Sequence, residues 1–393
     1  MKILAIHNLY LQPGGEDQSA RAEDALLRQH GHEVINYDVH NREYLAERSL
    51  VSAGLRAVWN DTTRRRITAT IREHRPDIVD VHNFFPAVSP SVYYAAAAEN
   101  VPVIQTLHNY RLTCVNAQLL RAGRVCEDCV GSIAPWRGVV RACYRDNRAA
   151  SLAVAAMVGV HNLLHTWQTK ITTYVALTDF AKALFVRAGL PADRIAVKPN
   201  FLPDPGIGRG CGDYALFVGR LSDEKGLNLL LEAWREVPHR LVIVGDGPMA
   251  RDVRAAAAAN SNIEWRGSCS PAEVLDVMAD ARMVVFPSLW YEGLPRVLME
   301  AFACGAPVVA SALGAMTELI SHGESGMLFP VGDAAALQGT VLRLWNDAHT
   351  RNRLRQNGRR VYERCFTPEK NYSDLIRIYA SAIATKTSNS PVH

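Results

Sequence analysis

The chain reads SLWYEGLPRVLMEAFACGAP from Ser288, a run that carries Glu292 and Glu300 eight positions apart. The apolar residues just before it predict a buried strand, and the residues from Pro295 predict a helix, because proline is favoured in the first helical turn. Open α/β sheets bind ligands outside the carboxyl ends of their strands. A carboxylate there can accept two hydrogen bonds from neighbouring sugar hydroxyls. The alternative is that both glutamates are ordinary surface charges.

A second strand-loop-helix pattern lies upstream, where the strand 214–219 is followed by a loop with two cations. Arg220 can donate a bidentate fork, Lys225 supplies a point charge, and the following helix offers free amides, a combination that suits a diphosphate. Basic loop residues taken alone are usually just solvated. The next strand ends in a glycine turn, Gly245-Asp-Gly247, which lets a ligand approach the backbone.

The order and spacing of these motifs resemble the C-terminal nucleotide-sugar domain of glycosyltransferase family 4, the retaining enzymes with the GT-B fold. The resemblance covers roughly residues 214–332, and the set as a whole is far more specific than any one member. Its motifs are Gly219-Arg220 with Lys225-Gly226, Gly245-Asp246-Gly247-Pro248, Glu292-x7-Glu300, and Gly305-x-Pro307.

The resemblance implies a role for each of these residues. Arg220 and Lys225 would hold the donor diphosphate. Glu300 would bind the ribose hydroxyls and Glu292 the hydroxyls of the transferred sugar. Family enzymes usually carry Phe-Gly after the first glutamate, whereas Gly293-Leu294 follows it here, which displaces the small residue that makes backbone contacts to the sugar.

The amino-terminal half predicts another α/β unit. Its strands and helices alternate, which indicates a parallel sheet covered on both faces. Strands are predicted at 2–7, 33–37, 78–81 and 103–107, and a helix at 16–30. In the family, a glycine loop after the first strand faces the donor diphosphate, and Pro13-Gly14-Gly15 corresponds to it. A plain turn is the competing interpretation.

Two histidines follow neighbouring predicted strands at their carboxyl ends. His108 resembles the family histidine that contacts the transferred sugar, and His82 stands at the equivalent place one strand earlier. Either residue could instead be a hydrogen-bonded core histidine. The catalytic set implied is His108, Arg220, Lys225 and Glu292. The donor-binding set implied is Gly14, Gly15, Gly219, Arg220, Lys225, Gly245, Gly247, Glu292, Gly293, Leu294 and Glu300.

Four cysteines cluster in the sequence and include a Cys-x2-Cys pair. The spacing is typical of a thiolate knuckle and predicts a structural zinc site, since four thiolates leave no open position for catalysis. A redox pair or disulfides are the alternatives, although no thioredoxin-like pattern surrounds the pair and no signal peptide is recognised. The four residues are Cys114, Cys126, Cys129 and Cys143.

The length of 393 residues predicts two domains. We expect two Rossmann-like, doubly wound parallel-sheet domains that face each other across a cleft, as in the GT-B fold. The expected ranges are an acceptor-binding domain at 1–200 with a cysteine-rich segment at 114–143, a linker at 201–212 rich in proline and glycine, a nucleotide-sugar-binding domain at 213–366, and a terminal helical segment at 367–393 that returns to the first domain.

The net charge of +4 is too mild to indicate a nucleic-acid partner. Arginines do cluster in a predicted helix at 52–75, which fits either a solvated face or contact with an anionic membrane surface. The apolar run 149–160 is shorter than the roughly 20 residues that span a bilayer. We expect a cytoplasmic protein, peripheral at most to the inner face of the plasma membrane. The arginines are Arg56, Arg64, Arg65, Arg66, Arg72 and Arg75.

The resemblance implies metal-independent transfer of a sugar, with retention, from a UDP- or GDP-sugar to a saccharide or lipid-linked acceptor in cell-envelope or exopolysaccharide synthesis. No cofactor is expected for catalysis. A hydrolase fits less well, because eight helical residues separate the glutamates by about 12 Å, beyond glycosidase spacing. A GT-B epimerase, a phosphorylase and a nucleotide-sugar-binding scaffold are the other hypotheses, and no pyridoxal lysine setting is recognised.

Overall fold

The computed structural model describes residues 1–11, 14–41 and 50–388 and divides into two compact units. The first unit comprises Met1–Leu119, Cys126–Asn200 and Asn371–His393, and the second comprises Leu120–Val125 and Phe201–Lys370. Pro13 of the predicted glycine turn and the last five residues of the terminal segment lie outside the described residues.

The first unit contains a six-stranded sheet in which every strand pair is parallel. Its strands are β1 (Lys2–Leu9), β2 (Glu33–His40), β3 (Ile78–Asn83), β4 (Val103–Leu107), β7 (Thr173–Ala176) and β8 (Ile195–Val197). The short antiparallel pair β5 (Leu120–Arg121) and β6 (Arg124–Val125) lies between β4 and β7 in the chain and is grouped with the second unit. The spatial order of the six-stranded sheet is β2-β1-β3-β4-β7-β8. The four predicted strands are confirmed, and β3 extends far enough to include His82.

Helices connect these strands. They are α1 (Gly15–Gln29), α2 (Leu50–Val58), α3 (Asp61–His74), α4 (Ser91–Ala98), α5 (Trp136–Val140), α6 (Arg148–Leu163), α7 (Thr166–Thr169) and α8 (Asp179–Arg187), with a 3₁₀ turn at Ala192–Arg194. The prediction of one helix over 52–75 is wrong. Asn60 has an extended backbone and caps α3 by accepting a hydrogen bond from the Thr63 amide at 3.2 Å, which separates α2 from α3.

The arginines of this region do not form one uncompensated basic face. Arg64 and Arg65 both pair with Asp61, at 2.9 and 2.7 Å, and Arg72 pairs with Glu99 at 2.9 Å. These ion pairs reduce the positive charge that the predicted face would offer to an anionic surface. No helix within the described ranges is long and apolar enough to cross a membrane.

The second unit has its own six-stranded parallel sheet. Its strands are β9 (Tyr214–Val218), β10 (Arg240–Val244), β11 (Ile263–Trp265), β12 (Met283–Phe286), β13 (Val308–Ser311) and β14 (Met327–Phe329), in the order β11-β10-β9-β12-β13-β14. Its helices are α9 (Leu227–Ala233), α10 (Ala250–Ala259), α11 (Pro271–Asp280), α12 (Arg296–Cys304), α13 (Met316–Leu319), α14 (Ala334–Asn346) and α15 (Ala348–Cys365), with a 3₁₀ turn at Asp223–Lys225. This strand order is that of a Rossmann fold.

The two chain segments that join the units are held by specific contacts. Residues 201–212 run along the second unit, where the Leu202 amide donates to the Phe366 carbonyl at 3.0 Å and the Gly208 amide to the Cys304 carbonyl at 2.9 Å. The last helix, α16 (Pro368–Ser388), shares a buried apolar cluster with β1, β3 and β4 of the first unit. The chain therefore enters the second unit after Asn200 and returns at Asn371.

Candidate functional site

The predicted donor-binding residues of the second unit follow three strands that are neighbours in the sheet, β10, β9 and β12. The strand order reverses between β9 and β12, so the loops after these two strands lie at the topological switch point, where doubly wound sheets bind ligands. Arg220 follows β9, and Glu292 follows β12. Two separate motifs of the sequence thus meet at one edge of the sheet.

Glycines allow these loops to pack backbone against backbone. Gly226 ends the 3₁₀ turn with φ of 75°, and a Cβ added to it would lie 2.0 Å from the Pro287 carbonyl oxygen. A Cβ on Gly245, which has φ of 137°, would lie 1.9 Å from the Gly219 carbonyl oxygen. Any side chain at either position would force the loops apart, so these glycines are required by the fold of the site.

Glu292 is held by three donors on one oxygen. Lys225 Nζ and Ser288 Oγ each lie 2.7 Å from Glu292 Oε1, and Trp290 Nε1 lies 2.8 Å from the same atom. The carboxylate is buried and its charge is compensated by Lys225. No residue in the described part of the chain hydrogen bonds to Oε2. That oxygen remains available to a ligand.

The two predicted cations have different surroundings. Lys225 Nζ lies 5.7 Å from the ring centre of Phe286 and 5.6 Å from that of Trp290, so two aromatic faces and Glu292 position it. The Arg220 side chain is exposed and has no ion-pair partner among the residues with described coordinates. Arg220 is therefore free to pair with an anion, whereas Lys225 is already oriented.

Glu300 lies apart from this contact set, in the second turn of α12. Its Oε1 accepts from Arg296 Nε at 2.7 Å, and the side chain is buried. Burial, together with the nearby Glu300 charge, raises the pKa of the Cys304 thiol to about 12, so that thiol stays protonated. The helix begins at Arg296 with Pro295 as its N-cap residue, one position later than the sequence predicts.

In the first unit, the predicted residues also lie at the carboxyl ends of adjacent strands, β1, β3 and β4. Gly14 is the N-cap residue of α1 and Gly15 its first residue, and a Cβ at either would meet no atom of the described residues within 4 Å. Gly14 has an ordinary extended backbone, with φ of −119°. Neither packing nor φ at Gly14 demands glycine, which contrasts with Gly226 and Gly245.

His82 and His108 contact each other directly. His82 Nδ1 lies 2.9 Å from His108 Nε2, and the ring centres are 5.2 Å apart in a stacked arrangement. On its other side, His82 Nε2 faces Glu23 Oε1 at 3.5 Å and Asp80 Oδ2 at 3.6 Å. Burial disfavours the charged imidazolium, but these carboxylates outweigh it and raise the pKa of His82 to about 9.

The tautomer of His108 follows from this contact. A protonated His82 carries hydrogen on both ring nitrogens, so its Nδ1 donates and His108 Nε2 accepts. Burial, with the adjacent His82 charge, lowers the pKa of His108 well below its ordinary value. His108 is therefore neutral, carries its hydrogen on Nδ1, and can donate from that atom to a ligand.

Glu23, Asp80 and His82 form the one group in the described ranges whose candidate metal-ligand atoms all lie within 4.8 Å of one another. The group already has a cation, because Lys198 Nζ lies 2.5 Å from Glu23 Oε2 and is almost fully buried. The Tyr379 hydroxyl donates to Asp80 Oδ2. We interpret the group as a buried ion-pair network that positions His82.

Glu16 is a functional candidate that the sequence did not indicate. Its Oε2 accepts from the Tyr10 hydroxyl at 3.0 Å and from Asn109 Nδ2 at 3.1 Å, next to His108 in the chain. Its Oε1 is buried without a hydrogen-bond partner in the described part of the chain. Desolvation raises the pKa of the Glu16 carboxyl. The position after the two glycines was the only signal for it in the sequence.

Other residues that complete the sites were also absent from the sequence-based sets. Ser288 and Trp290, four and two positions before Glu292, bind its carboxylate, and Arg296, four positions before Glu300, pairs with that residue. Spacing of four on a helix could have indicated Arg296. The four clustered cysteines are half-buried and lie in the first unit.

Both units match known families. Residues 9–200 match the family described as glycosyl transferase 4-like domain, and residues 212–347 match the family described as glycosyl transferases group 1. The chain belongs to the glycosyltransferases with the GT-B fold, and the predicted fold class is confirmed.

Individual relatives support the same class. O-antigen chain mannosyltransferase C of Escherichia coli is 31% identical over 179 residues, which are 44% of this chain and 48% of the relative. Phosphatidyl-myo-inositol mannosyltransferase of Mycobacterium leprae is 28% identical over 267 residues, 64% of this chain and 69% of that protein. The match to the first relative thus spans about half of its length.

A solved structure extends the likeness to the whole chain. HepE of Anabaena, in complex with UDP and glucose, aligns with a TM-score of 0.69 and covers 97% of this chain and 100% of its own, at 17% identity. At that identity the likeness shows the fold.

Proposed function

We propose that the chain transfers a glycosyl unit from a nucleoside diphosphate sugar to a hydroxyl of a saccharide acceptor, with retention at the anomeric carbon and without a divalent metal ion. The observation that carries the proposal is the contact of Lys225 with Glu292 at the switch point of the second sheet, 2.7 Å between Nζ and Oε1. Arg220, in the same loop as Lys225, has no ion-pair partner among the described residues. This site offers positive charge and a fixed carboxylate together.

The cations suit the departing diphosphate. Negative charge develops on the bridging oxygen as the bond to the sugar breaks, and prepositioned cations stabilise that charge without reorganisation. Lys225 is prepositioned by its contacts with Glu292 and Trp290. Arg220 adds a bidentate donor. In the proposed reaction these two side chains supply the charge that a divalent metal supplies in other transferases.

The carboxylates suit the hydroxyl groups of the donor. Glu292 keeps Oε2 free of hydrogen bonds in the described part of the chain while Oε1 is fixed, so it can accept from the transferred sugar. Glu300 is assigned to the ribose hydroxyls. Its Oε1 pairs with Arg296 Nε at 2.7 Å, which holds the carboxylate in place for that role. We assign no enzyme nucleophile.

The relatives support the substrate class. HepE of Anabaena was solved with UDP and glucose, which supports a UDP-sugar as donor, and the E. coli relative acts in O-antigen chain synthesis by its name. We infer that the acceptor is a growing cell-envelope or exopolysaccharide chain. A GDP-sugar is the alternative donor, and the screen below distinguishes them.

An apolar groove in the first unit supports a lipid-linked acceptor. The groove has a volume of about 500 Å³ and lies between α2 and α6, where Leu55 and Leu152 are exposed. Phe85 lines both this groove and the small cavity beside His108. An acyl or prenyl chain in the groove would bring a linked saccharide toward His108. We propose that an enzyme acting on such an acceptor works at the inner face of the plasma membrane.

A donor screen in EDTA tests the proposal. Diphosphate release from UDP-, GDP-, ADP- and dTDP-sugars is measured with acceptor for the wild type, Lys225→Gln and Glu292→Gln, with the exposed Arg353→Ala of α15 as control. We expect turnover of one donor class that both site variants lose and the control keeps. Binding without transfer to any acceptor would favour a scaffold, and conversion of donor alone would favour an epimerase.

A further inference from the structure

The chain between β4 and α6 is irregular and strained. Its regular structure is confined to the two-residue strands β5 and β6 and the five-residue helix α5. Residues other than glycine adopt the left-handed region repeatedly. Each such residue costs free energy and persists only where surrounding contacts impose that conformation. These residues are Ala117, Leu119, Ala122, Ala142, Arg145 and Asp146. A segment of this kind needs a cross-link or a core of its own.

Gly138 of α5 brings the cysteines of this segment together. Its carbonyl accepts a hydrogen bond from the Cys143 amide at 2.9 Å, its amide donates to the Pro135 carbonyl at 3.0 Å, and the Cys129 thiol lies beside that amide. A Cβ on Gly138 would lie 2.5 Å from Val115 Cγ2, so the chain beside Cys114 packs directly on this glycine. Parts of the chain that carry three of the four cysteines therefore meet at one residue.

The fourth cysteine belongs to the same turn as Cys129. The Cys126 amide donates to the Leu119 carbonyl at 2.8 Å and closes the β5–β6 pair. The turn is tied to α5 through Asp128, whose carbonyl accepts from Arg137 Nη1 at 2.7 Å and whose carboxylate pairs with Arg141. Burial, and to a smaller extent the other three sulfurs of Cys114, Cys126 and Cys143, raise the pKa of the Cys129 thiol, so those sulfurs lie within electrostatic range of it.

We propose that Cys114, Cys126, Cys129 and Cys143 bind one structural Zn²⁺ ion. Tetrahedral coordination by four thiolates is the preferred geometry of structural zinc, and it leaves no position for a substrate. Each thiol loses its proton to solvent as its sulfur bonds to the metal. The cations of Arg137 and Arg141 lie beside the turn and offset the negative charge of the complex.

The present side-chain positions require closure around the ion. Within the described ranges, no three of these sulfurs lie within 4.8 Å of one another, and the Cys114 thiol donates to Asn116 Oδ1 at 2.9 Å. Coordination would require the half-buried cysteine side chains to rotate toward one another. The zinc would anchor the turn that leads from His108 to α6.

Metal analysis of the purified full chain tests the site. We expect about one zinc per chain in the wild type, retained through dialysis and released when a mercurial reagent modifies the thiols. Cys126→Ser and Cys143→Ser should lose the metal, whereas Cys211→Ser, an exposed cysteine of the second unit, should keep it.

A cobalt substitution covers the case in which the serine variants do not fold. The wild-type chain exchanged with Co²⁺ should show the intense thiolate-to-cobalt absorption of a tetrahedral site, with thiols that resist alkylation. Zinc-free wild type that gives no such absorption would overturn the proposal. So would a purified chain in which these cysteines are joined as disulfides.

Discussion

His82 Nδ1 lies 2.9 Å from His108 Nε2, and the contact determines which nitrogen of His108 carries hydrogen. His82 owes its charge to Asp80 and Glu23, which are buried with it. His82 contacts two carboxylates on one side and His108 on the other. The buried carboxylates therefore fix, through His82, the tautomer of His108, the candidate sugar-binding residue. His82 is thus a positioning residue in the proposed reaction.

We expect His82→Gln to lower kcat by about tenfold, the effect of one hydrogen bond of roughly 1.4 kcal/mol, while the KM for the donor changes little. Rates of the wild type should fall as pH rises through about 9, the pKa of His82, because His108 then loses its fixed tautomer. The variant should lack this pH dependence. An unchanged kcat, or the same alkaline fall in both proteins, would contradict the role.

The same ionisation predicts a pH dependence of stability. The folded-state pKa of His82 lies above its ordinary value of 6.5, so its stabilisation is complete below about pH 6.5 and is lost as pH rises to about 9. Thermal unfolding from pH 6 to 10 should show this loss in the wild type and a smaller one in His82→Gln. Besides His82, the charged or titratable groups that face this centre are Glu23, Asp24, Asp80, His7, His108, Lys198 and Tyr379.

Gly15 and Gly245 should respond in opposite ways to alanine. A Cβ at Gly15 meets open space at the start of α1, so Gly15→Ala should leave the melting temperature unchanged or raised, by up to about 1 kcal/mol of helix propensity. It should raise the KM for the donor by about tenfold or more, because the added methyl displaces a closely approaching ligand. Gly245→Ala should unfold at lower temperature, since its Cβ would lie 1.9 Å from a backbone oxygen. An unchanged donor KM in Gly15→Ala would argue for a plain turn.

Lys225 and Glu292 should separate nucleotide binding from sugar binding. Lys225→Gln removes a diphosphate contact and should weaken UDP or GDP binding by roughly ten- to a hundredfold, the range for hydrogen bonds to charged groups. Glu292→Gln keeps an oxygen for Lys225, Ser288 and Trp290 and should bind the free nucleotide normally, yet lose turnover. Isothermal titration with nucleotide and with sugar nucleotide checks both. Equal loss in the two variants would mean that the pair acts only as a structural salt bridge.

Glu16→Gln tests the unpartnered carboxylate oxygen. The amide keeps an oxygen for Tyr10 and Asn109, and it removes a carboxyl whose pKa is raised by desolvation. A raised acid pKa means that ionisation opposes folding at neutral pH, so the variant should be at least as stable as the wild type. We expect a raised KM for the acceptor and an unchanged KM for the donor. Normal acceptor kinetics would exclude a substrate contact at Oε1.

Much of the fold could be predicted from local patterns. The alternation of apolar strands with helical stretches predicted two parallel sheets, and the strands that contain or precede His82, His108 and Glu292 lie as expected. The error at residues 52–75 has a local cause: the apolar and basic pattern continues through Asn60, whereas α2 ends at Val58 and Asn60, with an extended backbone, caps the start of α3.

The sequence indicated which loops form the candidate site, but not which of their side chains contact each other. Motif spacing indicated Lys225 and Glu292 separately, but their contact across 67 positions depends on β9 and β12 being neighbours. The donors Ser288 and Trp290 belong to the same loop as Glu292, yet nothing in their spacing shows that both side chains turn toward it. Side-chain direction in a loop is a property of the folded backbone.

The amino-acid sequence by itself determined the class of this protein and its two-sheet architecture, and it indicated the loops of the candidate site, because buried strands, amphipathic helices and turns each have a characteristic residue pattern. Only the tertiary structure decided that Lys198 pairs with Glu23 across 175 positions and that His82 meets His108. Strand order and the path of the chain place such residues together. Local periodicity carries no information about distant neighbours, and that is why the positioning network is visible only in the folded protein.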